Sequence, residues 1–154
     1  MIACNLRKLK ESLRKDQRWL GVDLGTKTIG LAISDVTLTI ATPLETLRRS
    51  KFSNDAEALK TLIKKEHIGG LIFGLPLNMD CSEGSRCQSV RQFAENLEKR
   101  IDLPMIFWDE RLSTVAVTRT LLDADASRKR RSEVVDKMAA AYILQGVLDR
   151  LNST

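Results

Sequence analysis

The stretch Arg18-Trp-Leu-Gly-Val-Asp23-Leu-Gly25-Thr-Lys27-Thr-Ile-Gly30-Leu-Ala-Ile-Ser-Asp35 reads as two apolar strands joined by a tight turn, with one carboxylate inside the first strand. Leu20 to Leu24 and Thr28 to Ser34 are rich in strand formers, and Gly25-Thr26-Lys27 supplies the turn, so a hairpin is predicted. Asp23 stands between Val22 and Leu24. A charge at such a place is costly to bury unless it is paired or bound to a metal. The plainer alternative is an aspartate that holds the Gly25-Thr26 turn through nearby amides.

Outward from the hairpin, a third short strand is predicted around Thr37 to Thr42, ending near Pro43, so three antiparallel strands open the chain. Asn54 or Asp55 can cap a helix that presents Leu59, Leu62 and Ile63 on one face and stops near Gly69-Gly70. Gly70 to Leu75 reads as a buried strand, and Pro76 to Gly84 as a loop. A helix with Val90, Phe93, Ala94, Leu97 and Ile101 at helical spacing precedes a strand from Pro104 to Trp108. Ser113 or Thr114 can cap the next helix, through about Asp123, and Ser132 a final one. The order βββαβαβαα predicts an α/β domain whose later strands pair in parallel, with helices over the sheet faces.

The chain of 154 residues, 43% apolar and 29% charged, fits one compact domain over residues 18–154, preceded by a basic extension at 1–17. Leu6, Leu9 and Leu13 recur in that extension at i, i+3 and i+7, the pattern of a short amphipathic helix or a partly ordered leader. No apolar run approaches the roughly 18 residues that span a bilayer, and no signal-peptide pattern opens the chain, so a cytoplasmic protein without a membrane partner is expected. Cys4, Cys81 and Cys87 show no C-x-x-C spacing, which argues against a disulfide framework or a zinc site.

The net charge of +5 is unevenly placed. Six Lys or Arg lie in residues 1–18 against Glu11 and Asp16, and Arg128-Lys129-Arg130-Arg131 forms a second run ahead of the last helical segment. Such runs are ordinarily solvated faces; phosphate contact is the functional alternative, and nucleic acid is the partner it would imply.

Three further acids bear on chemistry. Asp109 and Glu110 follow the Pro104 to Trp108 strand, and ligands tend to bind at the carboxyl ends of parallel strands. Asp136 falls in the first turn of the expected final helix, where an acid also complements the helix dipole. Acids from a strand, a strand end and a helix can share one face only if something offsets their repulsion, and a pair of divalent cations about 4 Å apart does that while promoting phosphodiester hydrolysis. His67, the single histidine, ends a helical segment, so histidine-pair ribonuclease chemistry is excluded and a Ser-His-Asp triad has no support.

Four ordered segments resemble the YqgF family of RNase H-like nucleases, also called RuvX or the Holliday junction resolvase-like family: Gly21 to Asp35, Gly74 to Asp80, Asp109 to Thr114, and Val135 to Ala140. The resemblance runs from about Trp19 to Leu148. It implies an RNase H-like fold with a five-stranded mixed sheet, and a metal-dependent nuclease that matures the 5′ end of the 16S ribosomal RNA precursor in ribosome biogenesis. It places Asp23, Glu110 and Asp136 in a Mg2+ or Mn2+ site, with Asp109 as a candidate fourth ligand. Lys27, Arg111 and the cations Arg128, Lys129, Arg130 and Arg131 would approach phosphates. The Gly74 to Gly84 loop would border the cleft, with Asn78, Asp80 and Ser82 as polar contacts and Arg86 as a further positive charge.

The chain departs from the family pattern at Cys81, where a glycine is expected, at Cys87, where a small residue is expected, and in its longer basic leader. Rival readings are a branched-DNA resolvase, a non-catalytic nucleic-acid-binding module of the same fold, and an ATP-binding phosphate loop after Asp23. A domain of this size would give only half of a two-domain ATP site. Partners expected are precursor RNA, branched DNA or ribosomal particles, with the chain a monomer or a homodimer.

Overall fold

The computed structural model describes residues 6–76, 84–110 and 128–153, with side chains from 136 onward in the last segment. A short helix α1 (Leu6–Glu11) precedes β1 (Arg18–Leu24), β2 (Thr28–Ser34) and β3 (Ala41–Arg48). Helix α2 (Phe52–Lys65), β4 (Ile68–Leu75), α3 (Ser85–Glu98), β5 (Met105–Asp109) and a long helix α4 (Arg128–Asn152) follow. The strands form one mixed sheet in the order β3-β2-β1-β4-β5, with β1, β2 and β3 antiparallel and β4 parallel to both β1 and β5. The expected arrangement of three antiparallel and two parallel strands is therefore observed.

Strand alternation divides the apolar side chains into two cores. Leu20, Val22, Leu31, Phe73 and Met105 pack on one face under α2 and α3. Trp19, Ala32, Ile72 and Ile106 pack on the other face with Leu9 of α1 and Ala139, Ala140, Ile143 and Leu144 of α4. The second face is built for close approach: a Cβ on Gly21 would lie 2.9 Å from the Leu144 Cβ and 3.0 Å from the Ala140 carbonyl oxygen. Glycines in the sheet and alanines in the helix thus let α4 lie almost against the strand backbones.

Four local expectations are corrected. The third strand runs Ala41–Arg48 and contains Pro43; it is an edge strand, and Pro43 pairs with Ala32 where the register shifts, a position that tolerates a missing N–H. The residues expected to open that strand instead turn around Asp35, whose Oδ1 accepts hydrogen bonds from Thr39 N at 2.7 Å and Ile40 N at 3.0 Å. Helix α2 starts at Phe52 with neither Asn54 nor Asp55 as its cap; buried Asp55, in the first turn, reaches back to Ser50 N at 3.1 Å. It ends at Lys65, His67 makes the left-handed step with φ 54°, and Gly69-Gly70 already belong to β4.

The final helix begins no later than Arg128, so Ser132 does not cap it and Asp136 lies more than two turns inside. The dipole account of Asp136 is thereby removed, since that effect fades within the first turn. The expected helix from Ser113 or Thr114 to about Asp123 lies outside the described residues. No helix among the described residues is long and apolar enough to cross a membrane.

Candidate active site

One cross-strand row organises the acids. Thr46 pairs with Gly30, Gly30 with Asp23, and Gly74 with Trp108; Asp23 comes beside Gly74, one step beyond the parallel pair Val22 and Phe73. Side chains in such a row point to the same face, here the α4 face that also carries Trp19 and Ala32. Asp23 is thus flanked on both neighbouring strands by glycine, and it is only 3% exposed.

Each glycine makes room for one of the other acids. A Cβ on Gly30 would fall 2.0 Å from the Asp136 carbonyl oxygen, so the α4 backbone seats directly over Gly30. The Asp136 carboxylate is then held from β2, where the Thr28 hydroxyl donates a hydrogen bond to its Oδ2. On the other side, a Cβ on Gly74 would lie 2.8 Å from Glu110 Oε1 and 2.5 Å from Ile143 Cδ1, so the Glu110 side chain lies across β4. Asp136 and Glu110 approach the buried Asp23 from opposite sides of β1.

Asp109 behaves differently. It pairs with Leu75 and follows the alternation of Phe107, which packs in the opposite core, whereas Trp108 and Glu110 belong to the α4 face. Among the described residues, no three carboxylate, thiol or imidazole side chains stand close enough together to hold one ion as placed. The oxygen-only donor chemistry of the three acids nevertheless suits a hard divalent cation rather than zinc or a soft metal.

The turn after Asp23 is braced by a residue that sequence reasoning overlooks. Arg49 N donates to the Lys27 carbonyl at 2.9 Å, and Arg49 Nη1 donates to the Gly25 carbonyl at 2.7 Å. The Arg49 guanidinium carbon lies 5.7 Å from the Phe93 ring centroid, within cation–π range. Gly25 N closes the turn on the Thr28 carbonyl at 2.8 Å. Lys27 is exposed at its tip. Glycine inside a strand pattern signals a close approach, so Gly30 was a readable cue, whereas the contacts of Thr28 and Arg49 bridge residues far apart in sequence.

Arg128 to Arg131 lie in the first described turn of α4. Arg111, Asn78, Asp80, Cys81 and Ser82 lie outside the described residues. Arg86 is exposed on α3, where Cys87 is buried.

Comparison with known proteins agrees with this architecture. The chain is 67% identical over 141 residues to a protein of Paramagnetospirillum magneticum described as "Putative pre-16S rRNA nuclease", covering 92% of this chain and 91% of that one. A protein of Roseobacter denitrificans with the same description is 63% identical over 134 residues, covering 86% and 82%. In fold, the chain is similar to Thermus thermophilus RuvC in complex with a Holliday junction substrate, with a TM-score of 0.56, 11% identity, and 90% and 98% of the two chains covered. Fowlpox virus resolvase with Holliday junction DNA gives a TM-score of 0.51 at 11% identity, covering 88% and 99%. Residues 17–150 match the family described as "RuvX: Holliday junction resolvase", and the chain belongs to that family.

Proposed function

We propose that this chain is a divalent-metal-dependent nuclease that hydrolyses phosphodiester bonds in the precursor of 16S ribosomal RNA, at its 5′ end, with Asp23, Glu110 and Asp136 as the metal-binding acids. The observation that carries the reading is the row Gly30, Asp23, Gly74, in which two missing side chains let a helix backbone and a glutamate close on one buried aspartate. A purely structural turn aspartate would need neither glycine. The relatives' description supplies the RNA substrate.

Asp23 provides the central carboxylate, fixed by the two strands beside it. Thr28 orients the Asp136 carboxylate, and Gly74 leaves the path along which Glu110 reaches inward. A bound Mg2+ or Mn2+ would supply water activation and offset the negative charge that develops around the phosphorus. Lys27, at the exposed tip of the braced turn, and Arg128, Lys129, Arg130 and Arg131 at the start of α4 would meet the flanking phosphates. Arg111 would join them. Asp109, on the other face by alternation, is left out of the ligand set. The working compartment in this reading is the cytoplasm, with the precursor delivered on a ribosomal particle.

The family description and the likeness to resolvases favour a second reading, cleavage of branched DNA, which would need two sites and hence a homodimer. Side-by-side digestion of a precursor rRNA fragment and a four-way DNA junction, with Mg2+ or Mn2+, separates the two. Cleavage of the RNA alone is expected. Cutting of the junction without the RNA would overturn the order, and binding of either without cutting would leave a non-catalytic module.

A further inference from the structure

The basic leader plays no part in the cleavage just described, yet its residues 6–17 pack as part of the fold. Leu9 of α1 is 0% exposed, and Leu6 and Leu13 pack against the same core as α4. Beyond the helix, Ser12 Oγ donates to the Leu9 carbonyl at 2.7 Å, and Arg14 N donates to Gln17 Oε1 at 2.8 Å. The start of β4 is shaped to receive this segment: a Cβ on Gly69 would lie 2.5 Å from Leu13 Cδ2, and one on Gly70 would lie 3.2 Å from Leu9 Cδ1.

With its leucines turned inward, the leader leaves Arg7, Lys8, Lys10, Arg14 and Lys15 exposed. Lys64 and Lys65, exposed at the end of α2, belong to a helix that covers the opposite sheet face but stand at the same end of the sheet, because α2 leads through His67 into β4 and Arg18 N donates to the His67 carbonyl at 2.9 Å. This end is the amino end of β1. Asp23 lies four residues further along the strand from Trp19, roughly 13 Å at about 3.3 Å per residue. Cations held on a packed frame give up little backbone freedom on contact and form a fixed positive surface fitted to a polyanion.

We propose that the docked leader, with the end of α2, is a second and non-catalytic site for the RNA sugar-phosphate backbone, holding the precursor strand beyond the bond that is cut. The proposal rests on the nuclease reading for RNA as the substrate.

The test compares the wild type with a variant carrying Lys8→Gln, Lys10→Gln, Arg14→Gln and Lys15→Gln, all at exposed positions. Binding is followed against salt on a precursor fragment extending well past the cut, and cleavage is timed on a short oligonucleotide spanning the cut alone. The variant is expected to bind the long RNA at least tenfold more weakly, with a salt slope shallower by about 0.7 for each phosphate that is no longer neutralised. Its melting temperature and its rate on the short oligonucleotide should match the wild type. Unchanged affinity and slope on the long RNA would overturn the proposal, as would equal losses on long and short RNA. If the variant loses long-RNA affinity and salt slope as expected but neither protein cuts either RNA, the surface stands and the nuclease reading falls.

Discussion

Gly30 stands opposite Asp23 in the β1–β2 ladder, and the backbone of Asp136 fills the space that a side chain on Gly30 would need. Gly30→Ala would place a Cβ 2.0 Å from the Asp136 carbonyl oxygen, so α4 must move outward. Overpacking of this kind costs about 1–3 kcal/mol, and more where backbone is the obstacle. Urea unfolding should show that loss, and cleavage should fall further than the folded fraction accounts for. A variant as stable and active as the wild type would refute the close seating of α4.

The hydroxyl of Thr28 holds the Asp136 carboxylate, so Thr28→Val removes the donor and keeps the branched shape. Losing a group that orients a metal ligand typically costs about 10–100-fold in metal affinity or activity. That fall is expected in Mn2+ affinity measured by calorimetry and in the cleavage rate, with Thr28→Ser close to the wild type. Equal values for all three proteins would remove Thr28 from the site.

Arg49→Met keeps the stem and the backbone bond to Lys27 but deletes the bond from Nη1 to the Gly25 carbonyl. The expected cost is about 1–2 kcal/mol in unfolding free energy, with faster amide exchange across the Gly25 to Thr28 turn. Exchange no faster than in the wild type would show that the turn does not depend on the guanidinium.

Asp35 contributes a pH-dependent stability. Desolvation by burial raises its pKa, but hydrogen bonds from the Thr37 hydroxyl and from the Ile40 and Thr39 amides outweigh it, and the net shift is downward from 3.8. A depressed folded pKa stabilises the fold above the unfolded value, and this share is lost as pH falls from about 4 through the folded pKa. Asp35→Ala should therefore be less stable than the wild type at neutral pH, and the gap should narrow in acid. A gap that stays constant down to the lowest accessible pH would contradict the shift.

Elements set by local pattern were legible in the sequence. The β1–β2 hairpin, the buried run of β4 and the helix bearing Val90, Phe93, Ala94 and Leu97 follow from periodicity that needs no distant partner. Two of the departures come from tertiary context overriding a local signal. Gly69-Gly70 resemble a helix stop, but they serve the packing of Leu13, Gln17 and Leu9. Pro43 resembles a strand end, but an edge position with a register shift accommodates it. The acids were visible as charges in apolar surroundings; the Thr28 bond to Asp136 joins residues 108 apart in sequence and left no local trace.

Whether Asp23 is the hub of a metal-dependent hydrolytic site is decided by comparing cleavage of precursor rRNA by the wild type and by Asp23→Asn in Mg2+ or Mn2+. The variant is expected to lose at least about a hundredfold in rate, beyond what loss of an orienting group alone produces. Its metal-free melting temperature should be unchanged or raised, because a negative charge facing other carboxylates has been removed. Equal cleavage by the two proteins would remove Asp23 from the reaction.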